Sequence, residues 1–83
     1  MTREALELQA QVAEDAGRRQ LAGNLRRAAE LVDVPEERIL EVYNALRPGR
    51  ATRDGLLALA AELESRYRAP RCAALIREAA EAA

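Results

Sequence analysis

The sequence predicts an all-α protein, a compact bundle of four to five short helices in a single domain spanning residues 1–83. Apolar residues recur at helical spacing along the whole chain, and no run alternates with the two-residue period of a strand. Helix-breaking signals fall at Gly17, Asp33 to Pro35, Pro48-Gly49 and Pro70. The connections they leave are short, about two to six residues, which suits helices that pack beside their neighbours.

The elements follow in order. Thr2 caps a first helix whose apolar stripe is Ala5, Leu8, Val12 and Ala16, and Gly17 ends it as a C-terminal glycine. A second helix runs from about Arg18 to Val32, with Leu21, Leu25, Ala28, Ala29 and Val32 expected inward. Gly23 weakens it by up to about 1 kcal/mol relative to alanine. Asp33-Val34-Pro35-Glu36-Glu37 starts the third helix, since proline is tolerated in a first turn and acids suit the positive end of the dipole. Ile39, Val42, Tyr43 and Leu46 fall together on it, and Arg47-Pro48-Gly49 stops it. Thr52 caps the fourth helix, which aligns Leu56, Ala60, Leu63 and Tyr67; the pairs Glu62 with Arg66 and Glu64 with Arg68 are expected on its outer face. Pro70 starts the fifth, with Cys72, Leu75, Ile76 and Ala79 inward, and the chain ends at Ala82-Ala83 without a capping signal.

Composition narrows what such a bundle does. Eighty-three residues with no Phe and no Trp build a thin core from Leu, Ile, Val and Ala. Domains of this size usually need disulfides, a metal or a partner. One cysteine and no histidine leave the partner. The net charge of −1, with acids and bases interleaved, argues against a nucleic-acid binder driven by a positive field. No stretch approaches the roughly 18 apolar residues of a membrane span, and no signal-peptide pattern opens the chain. Cys72 among Ala73, Ala74 and Leu75 reads as a buried thiol. The expected location is cytoplasmic.

The chemistry that is missing is informative. Without histidine, and with one cysteine, catalytic triads, Cys–His dyads and common zinc sites are excluded. The four glycines are isolated, so no phosphate-binding loop exists, and Ser65 sits between Glu64 and Arg66 on a polar face. Glu14-Asp15 and Glu36-Glu37 are adjacent acids, and adjacent residues on a helix do not converge on one point. No catalytic, cofactor-binding or metal-binding residue is expected.

Three features point to binding instead. Arg18-Arg19 and Arg26-Arg27 form a basic strip unless Arg26 and Arg27 pair with Glu30. Tyr43, Asn44, Arg47, Pro48 and Arg50 crowd the end of the third helix and its turn. Tyr and Arg are typical interface anchors, and Arg suits bidentate contact with a partner's carboxylate. The plain alternative is helix capping by Arg47 and core burial of Tyr43. Tyr67, with Arg68 and Arg71 around the second proline break, is the third candidate contact.

The run Arg26-Arg27-Ala28-Ala29-Glu30-Leu31, followed by Val34-Pro35-Glu36-Glu37-Arg38-Ile39-Leu40-Glu41-Val42-Tyr43-Asn44-Ala45-Leu46-Arg47-Pro48, resembles the small (gamma) subunit of the adenosylcobalamin-dependent diol and glycerol dehydratases. The likeness continues through Leu56 to Ala60, Glu62 to Glu64 and Cys72 to Ala80, and covers essentially the whole chain. It implies a lyase of large, medium and small subunits assembled as a dimer of heterotrimers, a heterohexamer. In that family the large subunit is a barrel holding substrate, potassium or calcium, and the catalytic residues. Adenosylcobalamin lies between the large and medium subunits, and radical chemistry turns a 1,2-diol or glycerol into an aldehyde with loss of water. The small subunit packs on the large one and supplies no catalytic residue or cofactor contact.

The chain departs from the family pattern in lacking a longer N-terminal extension and a basic C-terminal tail, which weighs against packaging in a bacterial microcompartment. Gly49 stands where an aromatic is common, and Gly55 where an acid is common, which removes a capping-box partner for Thr52. The reading is therefore a non-catalytic dehydratase subunit that exposes an apolar patch or self-associates when isolated. The alternative is a free-standing helical protein-interaction module derived from that fold. A helix-turn-helix DNA binder is disfavoured, because the helix after Thr52 carries Arg53 as its only early base.

Overall fold

A computed structural model describes residues 1–82. It contains five α-helices: α1 (Arg3–Asp15), α2 (Arg19–Leu31), α3 (Glu36–Ala45), α4 (Arg53–Tyr67) and α5 (Pro70–Ala82), with no strand among the described residues. α1 packs along α2 and α4 along α5, giving two helical hairpins in an envelope of 38 × 24 × 18 Å. α2 touches α5 more lightly, and α3 bridges the hairpins. None of the described helices is long and apolar enough to cross a membrane. Ala83, part of the uncapped Ala82-Ala83 end, lies outside the described residues.

The breaks fall where the sequence placed them, and each has a local cause. The Thr2 and Thr52 hydroxyls accept from the N–H groups of Ala5 and Gly55, both at 3.1 Å. Thr52 therefore caps α4 without a capping-box acid. Gly17 takes φ +81 after α1, which lets the Arg18 N–H reach back to the Ala13 carbonyl at 2.8 Å. The α4–α5 corner closes the same way through Arg68 at φ +51, with the Ala69 N–H on the Leu63 carbonyl at 3.0 Å. An L-residue there costs about 1–2 kcal/mol. The Arg3 guanidinium donates to the Arg68 carbonyl at 2.9 Å and so ties the start of the first hairpin to the corner of the second.

The inward faces differ from those read by spacing. Leu8 and Val12 are 69% and 68% exposed, and Ala16, Leu21, Ala28 and Val32 also face solvent. The buried positions are Ala10 and Ala13 on α1, and Ala22 and Ala29 on α2. Alanine at the contact lets two helix axes approach closely, which rotates the larger side chains outward. The main core belongs to the second hairpin and its approaches: Val34, Leu56, Ala60, Leu63, Ala69, Cys72, Ala73, Ile76 and Ala80. Here Leu56, Ala60, Leu63, Cys72 and Ile76 lie inward as expected, Ala79 and Tyr67 are half-buried, and Leu75 turns out.

Ion pairs also depart from the expected ones. Glu62 receives two hydrogen bonds from Arg38 on α3 rather than pairing with Arg66, and Glu64 accepts from Arg77 on α5 at 2.9 Å rather than from Arg68. Arg26 reaches Glu14 on α1 at 2.6 Å and Arg27 bonds Asn24, so neither pairs with Glu30. Long-range partners win because the hairpins bring opposite charges together across helices.

Glu30 has a different task. It is 1% exposed, and its Oε2 accepts from the Arg71 N–H at 3.0 Å while its Oε1 accepts from the Cys72 N–H at 2.9 Å. Pro70, the first residue of α5, has no N–H to satisfy, and the Ala73 N–H already bonds the Ala69 carbonyl at 3.0 Å. A carboxylate from α2 thus completes the first turn of α5 and sits at the positive end of its dipole. The Arg71 guanidinium lies 3.7 Å from the same carboxylate on the solvent side.

Two outcomes test this packing. Glu30→Ala strands the N–H groups of Arg71 and Cys72, and urea unfolding should show a loss of about 2–4 kcal/mol. A loss below about 0.5 kcal/mol contradicts the cap. Ala10→Leu should cost about 1–3 kcal/mol by overpacking the α1–α2 contact. Leu8→Ala should change the isolated chain by no more than about 0.5 kcal/mol; the reverse order of effects restores the stripe read from spacing.

Candidate functional site

α3 is the least covered helix, with no fully buried residue. Ile39, Val42 and Ala45 pack half-buried against the core. Its other side carries Leu40 and Tyr43, 55% and 69% exposed, with Asn44 and Arg47 beside them. The helix is held by Arg38, whose guanidinium bonds Glu41 on α3 and both oxygens of Glu62 on α4. That bidentate contact fixes the height of α3 over the second hairpin. Hydrogen bonding from Arg38 holds the Glu62 carboxyl below its usual range, and Arg77 does the same to Glu64.

Between α3 and α5 the packing leaves an apolar groove of about 240 Å³, walled by Leu31, Val34, Ile39, Val42, Tyr43, Leu46, Leu63, Leu75 and Ile76. Cys72 and Arg27 also border it. Burial, then the Glu30 carboxylate, pushes the Cys72 thiol up to about 12, so it stays protonated and weakly nucleophilic. A second hollow, about 350 Å³, lies around Leu46, Arg47, Pro48, Ala51, Leu56 and Ala79 and shares Leu46 with the groove. A polar hollow at the start of α1 is bordered by Arg3, Glu4, Asp33 and Arg68.

The structure brings together five of the six candidate contacts. Tyr43, Asn44, Arg47, Pro48 and Arg50 are all exposed at the end of α3 and in its turn. Gly49 takes φ +75 there, a conformation an aromatic at that position would adopt only under strain. Tyr67 stands apart at the far end of α4, about 20 Å along that helix from the turn. It packs half-buried against the core, with the Arg66 guanidinium 5.6 Å from its ring centre.

Spacing alone did not find Leu40 and Leu75, nor the outward Leu8, Val12 and Leu21. The alanines at 10, 13, 22 and 29 were the signal, because a stripe of small residues marks a close helix contact. Of the polar side chains singled out as acid–base or nucleophile candidates, Glu14, Asp15 and Ser65 are engaged elsewhere among the described residues. Glu14 is engaged by Arg26, Asp15 accepts from Gln11, and the Ser65 hydroxyl donates to the Ala61 carbonyl. Among the described residues no three His, Cys, Asp or Glu side chains gather to hold a metal ion. An apolar groove and an exposed ring lie beside Arg47 and Arg50, which make no ion pair among the described residues.

The family described as dehydratase small subunit matches the chain over residues 1–83. The chain is similar to the propanediol dehydratase small subunit of Citrobacter freundii, 61% identical over 80 residues, which is 96% of this chain and 46% of that protein. It is equally similar to the propanediol dehydratase small subunit of Salmonella typhimurium strain LT2, at 61% over 80 residues with the same coverage. The chain thus spans about half the length of these relatives.

The braces on α3 and α5 give a pH prediction. Glu62 and Glu64 have folded-state values below the ordinary 4.5, so their contribution to stability is present above that value and lost as pH falls through the lower, folded one. Thermal melts on the acid side of pH 4.5 should decline steeply for the native chain and less steeply for Glu62→Gln and Glu64→Gln. Parallel declines in all three proteins contradict this role.

Proposed function

This chain belongs to the dehydratase small subunit family, and from that premise we propose that it is a non-catalytic subunit of a propanediol dehydratase. It packs on and stabilises a large catalytic subunit, in an assembly with a medium subunit built as a dimer of heterotrimers in the cytoplasm. The assembled enzyme dehydrates a 1,2-diol or glycerol to an aldehyde. The observation that carries the reading is the open α3 face, with exposed Leu40 and Tyr43 beside an apolar groove in a chain that holds no nucleophile–base pair. Large apolar side chains held out of a thin core mark a surface to be covered.

Adenosylcobalamin is the cofactor of the proposed complex. Protein ligation of cobalt asks for an imidazole or another deprotonated donor. This chain has no histidine, and its one thiol is buried and pushed up to about 12. No chemical step is assigned to its residues. Their part is mechanical: Tyr43, Asn44, Arg47, Pro48 and Arg50 contact the large subunit, and Arg38 and Glu62 keep α3 in place for it.

Co-expression with the large and medium subunits of the same organism tests the proposal. A tagged chain should recover both subunits, together with adenosylcobalamin-dependent aldehyde formation from propane-1,2-diol. Tyr43→Ala and Arg47→Ala should each lower recovery about tenfold, in the range of interface anchors, and leave the KM of the enzyme that does assemble unchanged. A chain that purifies alone contradicts the subunit reading. Variants that assemble like the native chain move the contact to another face.

A further inference from the structure

Glu36, Leu40 and Tyr43 share one exposed face of α3, and Arg47 follows in the turn just beyond its C-cap Leu46, at spacings of four, three and four. That is the spacing of a helix–helix seam. The order along it is acid, apolar, apolar, base, of which Glu36 to Tyr43 span about 10 Å of helix. Among the described residues neither end is engaged. Glu36 and its neighbour Glu37 make no ion pair among the described residues, and neither do Arg47 and Arg50; the carboxylates that are paired belong to Glu7, Glu14, Glu30, Glu41, Glu62 and Glu64.

We propose that a second copy of this chain docks on this stripe, α3 against α3 in antiparallel fashion about a two-fold axis between Glu41 and Val42. In that register Glu36 of each copy meets Arg47 of the other, and Leu40 of each meets Tyr43 of the other. A two-fold contact requires a self-complementary patch, and this face is self-complementary in charge and in apolar content about the same midpoint. The two helix dipoles also oppose each other favourably, with the Glu36-Glu37 end of one beside the C-terminal end of its partner. The apolar groove bordered by Tyr43 and Leu46 adjoins the stripe and lengthens the contact. A stable dimer buries about 800 Å² per partner, more than one helix of 10 residues offers, so pairing falls in the micromolar range and weakens with salt. The pairing rests on the geometry of α3 and not on the family reading.

Sedimentation of the purified full chain from low to high micromolar concentration is the test. At low ionic strength the chain should pass from monomer to dimer. Glu36→Arg or Arg47→Glu alone should weaken the dimer about tenfold, since each reversal turns two attractive pairs repulsive. Mixing the two variants should restore it, because Arg at 36 of one then faces Glu at 47 of the other. Leu40→Asp should leave a monomer with native helicity, as Leu40 is outside the core. A chain that stays monomeric throughout, or a mixture no tighter than either variant, overturns the pairing. The same face serves the large subunit in the proposed assembly, so the pairing is one of the isolated chain: monomeric behaviour together with recovery of the large and medium subunits defeats this inference alone, and dimerisation with no recovery even below the concentration at which the dimer forms defeats the subunit reading alone.

Discussion

The Glu30 carboxylate is the joint on which the two hairpins depend. α2 and α5 touch lightly, and the hydrogen bonds from the Arg71 and Cys72 amides to Glu30 are the buried link between the hairpins, to which Arg3 on the Arg68 carbonyl adds an exposed one. A buried carboxylate is costly unless it is paired and hydrogen-bonded. Here two backbone donors, a helix dipole and the Arg71 guanidinium all face it. Removing the acid leaves α5 without a cap. Removing the docked helix end leaves a charge without water. Each half of the molecule is therefore needed by the other, and the groove beside α3 keeps its shape because α5 begins at a fixed point.

That joint lets the chain keep a small core and still hold its larger side chains outside. The α1–α2 contact is made through alanines, which bury little area each. Leucines and valines that would enlarge the core instead point outward on α1, α2 and α3. A free-standing domain of this length gains by turning them in. A subunit gains by leaving them for its partner, which is the arrangement we propose.

The helices and their limits were legible because Gly17, Pro35, Thr52 and Pro70 act locally, within a turn of where they stand. The faces were less legible. Leu8, Val12, Leu21 and Val32 are more hydrophobic than Ala10, Ala13 and Ala22, so spacing weighted by hydrophobicity turned α1 the wrong way and found only Ala29, with Leu25 half-buried, on the inner side of α2. Glu30 could not be read from its neighbours, since its partners lie 41 and 42 residues away and are backbone amides with no side-chain signature. The exposure of Tyr43 to Arg50 was only half legible, since capping by Arg47 and core burial of Tyr43 read equally well from the sequence. Tyr67 has an internal use: its ring packs half-buried against the core beneath Arg66.

Hydrogen exchange, followed by mass spectrometry on the dilute free chain and on the chain purified with the large and medium subunits, is the decisive comparison. The first turn of α5 should exchange slowly in both, because Glu30 caps it within the chain itself. α3 and the turn from Leu46 to Thr52 should exchange quickly in the free chain and slowly in the assembly. Equal exchange of α3 in both states would show that this face is not the one the assembly covers, and rapid exchange at Cys72 in the free chain would show that the Glu30 joint does not hold.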